Sequence, residues 1–301
     1  MKNKIDWIAV DWGTSSLRAW AMDAEGQDLD RTSSDQGMGK LTPIEFEPTL
    51  IALITPWLVN NSQTDVISCG MVGAKQGWVE APYQSAPCLP LANLVKAPAV
   101  DPRLNVQIIG GVSQAKPADV MRGEETQIAG FQKLNPNWDG VICLPGTHTK
   151  WVQMSAGEIV SFQTFMTGEI FALLSTSSVL RHSVNSDEWD QTIFGEAVDE
   201  AMSRPEAIAA RLFGLRAGNL LNDLSNTSAK SRLSGLLIGA ELAASKPYWL
   251  GQPIAIIGSK SISESYTTAL VSQHVPITRT DATQMTLAGL KAAYANWKEF
   301  G

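Results

Sequence analysis

The sequence predicts a two-domain α/β protein, each domain a mixed sheet flanked by helices, with the functional site in the cleft between the domains. Three observations carry this prediction. The 301 residues exceed the length at which one hydrophobic core usually stops growing, and 44% are hydrophobic against 18% charged. Apolar runs of strand length alternate with longer amphipathic runs along the chain. Finally, two apolar strands, one in each half, run into Gly-Thr turns rich in hydroxyls: Ala9-Val10-Asp11-Trp12-Gly13-Thr14-Ser15-Ser16 and Val141-Ile142-Cys143-Leu144-Pro145-Gly146-Thr147-His148-Thr149. A strand that ends in small donors gathers backbone N–H and side-chain O–H groups on one point, which suits phosphate oxygens. The domains are predicted over 1–115 and 116–301.

In chain order, Ile5–Val10 and Leu17–Met22 read as an antiparallel pair, and a third strand over Asp28–Ser34 follows the Asp23-Ala24-Glu25-Gly26 turn. Thr42-Pro43 opens a helix to Leu58, with proline at an early position where its missing N–H costs little. Asp65–Cys69 is a buried strand that ends in Gly70-Met71-Val72-Gly73. Residues 74–105, rich in Pro and Ala, read as an irregular region, and Val106–Gly111 as a further strand. Gly123-Glu124 opens a helix to Leu134. Strands follow over 141–144, 149–154 and 158–164, then helices over 167–181, 189–202, 205–224 and 231–246. Ile254–Ile257 is a strand ending at Gly258-Ser259-Lys260, and helices over 261–273 and 281–298 finish the chain.

A net charge of −7 argues against a nucleic-acid surface, which needs clustered Lys and Arg. No run reaches the ~18 apolar residues of a membrane helix, and the first residues lack a signal-peptide core. Cys69, Cys88 and Cys143 are odd in number and widely spaced, which fits reduced thiols in a cytoplasmic protein better than disulfides or a zinc cluster. Cys69 and Cys143 lie in apolar strands, where a thiol acts as a small hydrophobe.

The pieces that carry chemistry come in a set order: a strand with a Gly-Thr turn, a Gly-acid helix start, a second such strand and turn, and a late strand with a Gly-Ser turn. Asp11 at the first turn is a carboxylate able to hold magnesium or its water shell. Glu124 has two readings. At a helix start it complements the dipole, worth at most about 1 kcal/mol. Phosphoryl transfer to a hydroxyl also needs a carboxylate to accept the hydroxyl proton, beside groups that hold the phosphates. Asp11 competes for that base role, so Glu124 and Asp11 are the catalytic candidates. Gly13, Thr14, Ser15 and Ser16 form one phosphate loop, and Gly146, Thr147 and Thr149 the other. Arg18 reaches back along the first hairpin towards an anion or stays a solvated strand arginine. Arg122 binds an anionic substrate bidentately or forms an ion pair with Glu125 or Glu169. Trp78 and Tyr83 wall a small polar ligand or pack. His148 reads as a positioned hydrogen-bonding group, and no Gly-x-Ser-x-Gly elbow marks a hydrolase.

The order of pieces is similar to that of the sugar kinase/actin/heat-shock ATPase superfamily: first phosphate loop, catalytic acid, second phosphate loop, adenosine loop. The resemblance implies an actin-like ATPase (ribonuclease H-like) fold that uses ATP and Mg²⁺, with Asp11 at the metal and Gly258 and Ser259 on the nucleoside side. Many members carry paired glycines where Gly258-Ser259 stands, and Gly-Asp where Gly123-Glu124 stands, so the acid here is one methylene longer.

Within that superfamily the chain resembles the 2-dehydro-3-deoxygalactonokinases. The likeness rests on Ile8–Trp20, Gly70-Met71-Val72-Gly73, Gly77-Trp78, Ala81-Pro82-Tyr83, Val120-Met121-Arg122-Gly123-Glu124-Glu125-Thr126-Gln127 and Pro145–Val152, then Met166-Thr167-Gly168-Glu169 and Leu233–Glu241. It implies ATP-dependent phosphorylation of the C6 hydroxyl of 2-dehydro-3-deoxy-D-galactonate, a small sugar acid, in galactonate catabolism. A kinase of the epimeric 2-dehydro-3-deoxygluconate shares every motif. A sugar sensor of the same fold normally adds a DNA-binding helix pair, for which residues 1–7 leave no room. A filament-forming or chaperone-like ATPase normally carries partner-binding insertions, which are missing here.

Overall fold

The computed structural model describes residues 4–91 and 94–300, at residue 300 the backbone alone. The chain divides into two compact units: Met1–Trp138 with Ser155–Ser161 and Ala282–Gly301, and Asp139–Met154 with Phe162–Asp281.

The first unit opens with β1 (Trp7–Trp12), β2 (Leu17–Met22) and β3 (Asp28–Ser34), a meander of antiparallel strands. Next come α1 (Phe46–Ile54), β4 (Thr64–Gly70), β5 (Tyr83–Ser85), β6 (Leu94–Lys96), β7 (Leu104–Ile109), β8 (Gly111–Ala115), β9 (Ala118–Met121) and α2 (Glu124–Leu134). A six-stranded mixed sheet has the order β3-β2-β1-β4-β7-β6, with β1 parallel to β4 and β4 parallel to β7. A small sheet, β5-β8-β9, stands beside it.

The second unit contains β10 (Gly140–Leu144), β11 (Thr149–Ser155), β12 (Glu158–Phe165), α3 (Thr167–Thr176), α4 (Gln191–Ser203), α5 (Ile208–Leu221), α6 (Asn226–Ala244), α7 (Lys246–Trp249), β13 (Ile254–Gly258), α8 (Lys260–Val271) and β14 (Ile277–Asp281). Its sheet runs β12-β11-β10-β13-β14, with β10 antiparallel to β11 and parallel to β13. The last helix, α9 (Ala282–Phe300), belongs to the first unit and packs on α2, β1 and β4.

The predicted α/β class with mixed sheets is observed, and the two main sheets share one strand arrangement. In each main sheet an antiparallel meander is followed by a strand that adds in parallel beside the first. The inner strands β1, β10 and β13 are almost wholly apolar because both faces are covered. Val10, Leu17, Val66 and Val106 pack with Phe46 and Leu50 of α1, while Trp7, Trp20 and Ile67 pack with Leu290 and Ala293 of α9.

Several expectations are corrected. The helix over 42–58 is a 3₁₀ turn, then α1, then a second 3₁₀ turn at Thr55–Trp57. Pro56 lacks the N–H that a continuing helix needs. Residues 74–105 are not all irregular, for they hold β5, β6 and the start of β7. The hairpin β8–β9 and the edge strand β14 lack a strong apolar period and are ordered by pairing with distant strands, β5 and β13. The chain does not divide at residue 115. Pairing of β8 with β5, and packing of α2 against α9, keep residues 116–138 and 282–301 with the first unit.

Candidate functional site

Asp11 and Arg18 face each other in the register of β1 and β2, and the Arg18 guanidinium donates to Asp11 Oδ2. Arg18 Nη1 also donates to Thr283 Oγ1 at 2.8 Å. Between the strands, Gly13 N–H donates to Ser16 O at 2.9 Å, leaving Thr14, Ser15 and Ser16 exposed. A second layer holds this turn from behind. Met38 N–H donates to Gly13 O and Gly39 N–H to Thr14 O, both at 2.9 Å, and a Cβ on Gly37 would lie 2.3 Å from Thr14 O.

The ends of β1 and β4 meet the start of α2. Gly70 has φ +91°, and a Cβ there would lie 2.7 Å from Trp12 O and 3.5 Å from Asp11 Oδ1. Gly123, φ +104°, would place a Cβ 3.4 Å from Gly70 Cα. Left-handed backbone and close approach thus both call for glycine here. Glu124 is half-buried, and its Oε2 accepts the Arg122 N–H at 3.0 Å. Glu125 is fully buried and accepts from Gly123 N–H at 2.6 Å and from the Thr126 hydroxyl at 3.0 Å. Burial, and then the neighbouring Glu124 charge, push the Glu125 carboxyl up to about 8. The buried Cys69 thiol lies 3.9 Å from Asp11 Oδ1 and is pushed well up by burial and by the Asp11 charge.

Arg122 is 9% exposed and belongs to none of the ion pairs among the described residues. Its guanidinium lies 4.3 Å from the Tyr83 ring centroid, and Nη2 donates to Ala81 O at 2.7 Å. Nε and Nη1 are buried with no hydrogen-bond partner. Neither Glu125 nor Glu169 pairs with it. Trp78, read beside Tyr83 as a ligand wall, is instead buried with Trp12 and Phe46, the packing role that the sequence left open.

In the second unit Gly146, Thr147 and His148 are exposed at the end of β10. Thr149 turns inward, its Oγ1 2.9 Å from the Tyr266 hydroxyl, and Lys150 Nζ donates to Thr164 Oγ1 at 2.8 Å. His148 Nε2 meets Glu169 Oε2 at 2.5 Å, and Glu169 N–H donates to Thr147 O at 2.9 Å. The start of α3 presses on the turn: a Cβ on Gly168 would lie 2.2 Å from Gly146 O. Gly258 sits against Pro145 and Ser263, with Ser259 at the start of α8. Beside these turns lies a cavity of about 510 Å³ lined by Gly146, Thr167, Phe171, Trp189, Lys230, Ser234, Ile262 and Tyr266, among others.

The first turn, Gly70, Gly123 and Glu124 therefore come together in one unit; the second turn, Gly258 and Ser259 come together in the other. Residues 11–293 match the family model described as 2-keto-3-deoxy-galactonokinase. The chain belongs to this family. Among its relatives is a probable 2-dehydro-3-deoxygalactonokinase of Rhizobium meliloti (strain 1021), 35% identical over an alignment 298 residues long that covers 95% of this chain and 96% of the relative. The 2-dehydro-3-deoxygalactonokinase of Escherichia coli (strain K12) is 33% identical over 290 residues, again 95% and 96%. A crystal structure from Sinorhizobium meliloti, of a protein assigned as a 2-dehydro-3-deoxygalactonokinase, superposes with a TM-score of 0.90 at 35% identity over 97% of this chain and 99% of that one.

Sequence reasoning missed Glu125, Glu241, Tyr266 and most of the cavity lining in this family member. For Glu125 the signal was present as an adjacent Glu-Glu pair at a helix start, where one helical step points the two in different directions. No group of three or more His, Cys, Asp or Glu with metal-holding geometry occurs among the described residues. Asp11 as a lone carboxylate fits Mg²⁺, which keeps several waters and leans on one or two carboxylates and on substrate phosphates. No helix among the described residues is long and apolar enough to cross a membrane.

Proposed function

We propose that the chain is an ATP-dependent 2-dehydro-3-deoxygalactonokinase that phosphorylates the C6 hydroxyl of 2-dehydro-3-deoxy-D-galactonate. The family supports the reaction, and one observation carries the sugar-acid substrate: Arg122, buried with two unpartnered donors. A buried guanidinium without a counter-charge costs several kcal/mol unless an anion completes it. Tyr83 holds the guanidinium in place and Ala81 O takes up an Nη2 proton, so the N–H groups of Nε and Nη1 remain for anionic oxygens.

Glu124 accepts the C6 hydroxyl proton while the hydroxyl oxygen bonds to the γ-phosphorus. The bond from that phosphorus to the β–γ bridging oxygen breaks, and ADP leaves. The Gly13–Ser16 and Gly146–Thr147 turns hold phosphate oxygens with N–H and O–H donors. Thr149, bonded inward to Tyr266, supports the second turn from behind. Asp11, oriented by Arg18, would hold Mg²⁺ or its waters, which would supply positive charge against the phosphates. The 510 Å³ cavity, walled by Trp189, Phe171 and Ile262 beside Gly258 and Ser259, takes the nucleoside. Three buried free thiols, Cys69, Cys88 and Cys143, fit a reducing cytoplasm.

ADP release with Mg·ATP tests this, using the galacto and gluco epimers of the 2-dehydro-3-deoxy acid side by side and a control without acceptor. Strong turnover with the galacto acid and much less with the gluco acid is expected. Preference for the gluco acid would reassign the substrate, and turnover independent of acceptor would overturn the kinase reading.

A further inference from the structure

A buried carboxylate stands behind the second turn. Glu241 on α6 is 3% exposed and has no ion-pair partner among the described residues. Its Oε1 accepts the Trp151 indole N–H at 2.8 Å, and its Oε2 accepts the Tyr266 hydroxyl at 2.8 Å. The Thr167 hydroxyl donates to the same carboxylate. The Tyr266 hydroxyl also lies 2.9 Å from Thr149 Oγ1. Tyrosine has one hydroxyl proton, and here Glu241 takes it, so Thr149 must donate to Tyr266. With the carboxylate ionised, every hydrogen bond in this cluster has one permitted direction.

Protonation breaks that order. Indole can only donate, so Trp151 keeps Oε1 and the acid proton belongs on the Oε2 side. It must then be donated to Tyr266 or to Thr167. In the first case Tyr266 turns its proton to Thr149, whose own proton is released; in the second Thr167 is reversed. Thr149 ends the second turn, while Thr167 and Tyr266 line the cavity beside it.

We infer that Glu241 is a positioning residue for the nucleotide: through Tyr266 and Thr167 it dictates the direction of the threonine hydroxyls at the second turn, and nucleotide is held best when the carboxylate is protonated and a threonine proton is freed for a phosphate oxygen. This rests on assigning that turn and cavity to the nucleotide. Burial pushes Glu241 up to about 7, against its three donors, so both forms are populated near neutral pH. The ionisable groups that face it are Cys143 on β10 and Tyr266 on α8, both pushed well up by burial and therefore neutral. β11 and α3 bring Trp151 and Thr167, which do not titrate. Glu200 of α4 and Arg211 of α5 are ion-paired together with Arg232 of α6, more than two turns along the helix from Glu241.

The test is calorimetric titration of ADP into the full-length protein between pH 5.5 and 8.5, for wild type, E241Q and Y266F. Titration of ADP itself is common to all three and cancels. Wild type should lose about three- to tenfold more affinity than either variant as pH rises through 7, the worth of one hydrogen bond. Y266F keeps the carboxylate and removes only the link to Thr149, so it carries the test if E241Q folds poorly. Parallel pH dependence in all three proteins overturns the inference and leaves the kinase reading standing. Failure of wild type to bind any adenine nucleotide overturns both.

Discussion

The guanidinium of Arg122 rests on the ring of Tyr83, 4.3 Å from its centroid, and meets a protein acceptor through Nη2 alone. A cation stacked in this way keeps its charge in a buried position, held by the ring face. Gly73 makes the room: a Cβ there would lie 2.9 Å from Arg122 Nη1.

Replacing Arg122 by Met should therefore raise KM for the sugar acid by about 10–100-fold, the worth of hydrogen bonds to a charged group. The free variant should melt no lower than wild type, since an unsatisfied buried cation has been removed. Thermal shift with and without the sugar acid reads both effects. A variant that is still stabilised by the substrate as wild type is would refute the assignment of Arg122 to the sugar acid.

Glu124→Gln keeps the side-chain shape and removes the base. Expected is a fall in kcat of about 10²–10⁴ with ADP affinity little changed. Near-normal turnover would transfer the base role to Asp11.

Glu125 links pH to stability. An unfolded glutamate ionises near ~4.3, whereas the folded Glu125 holds its proton to about 8. Between these values the folded state binds one proton more than the unfolded state, so rising pH costs stability, up to about 1.4 kcal/mol per unit, and the loss levels off above 8. Glu125→Gln cannot ionise and lacks this slope. Urea midpoints of both proteins at pH 5 and pH 8 should converge towards pH 5 and separate in favour of the variant at pH 8; parallel slopes would show that Glu125 ionises normally.

The two glycines at the second turn should behave differently. A Cβ on Gly146 meets nothing within 4 Å, whereas one on Gly168 would lie 2.2 Å from Gly146 O and 2.9 Å from Thr147 Cα. Gly168→Ala must displace the turn or the start of α3, which should lower stability by about 1–3 kcal/mol and raise KM for ATP several-fold. Gly146→Ala should leave the melting temperature within a degree or two of wild type. Equal melting temperatures for the two variants would rule out this packing.

Local signals made much of the fold legible. β2 follows from its apolar run and β3 from the turn at Asp23–Gly26, and the start of α2 from Gly123-Glu124. The two Gly-Thr turns declared themselves because strand, glycine and hydroxyls are contiguous. By contrast, β8, β9 and β14 carry weak periods and exist through pairing with distant strands.

The sequence by itself determined the α/β class, the two Gly-Thr turns, the acidic start of α2 and the family, for each of these is carried by short runs of consecutive residues. Only the tertiary structure decided which of two adjacent glutamates is buried, that Arg122 lacks a counter-charge, and that Thr149 turns inward. It alone joined Glu241 to Trp151 and Tyr266. Burial and hydrogen-bond partnership are set by groups brought together from remote parts of the chain, and no local pattern encodes which of them will meet.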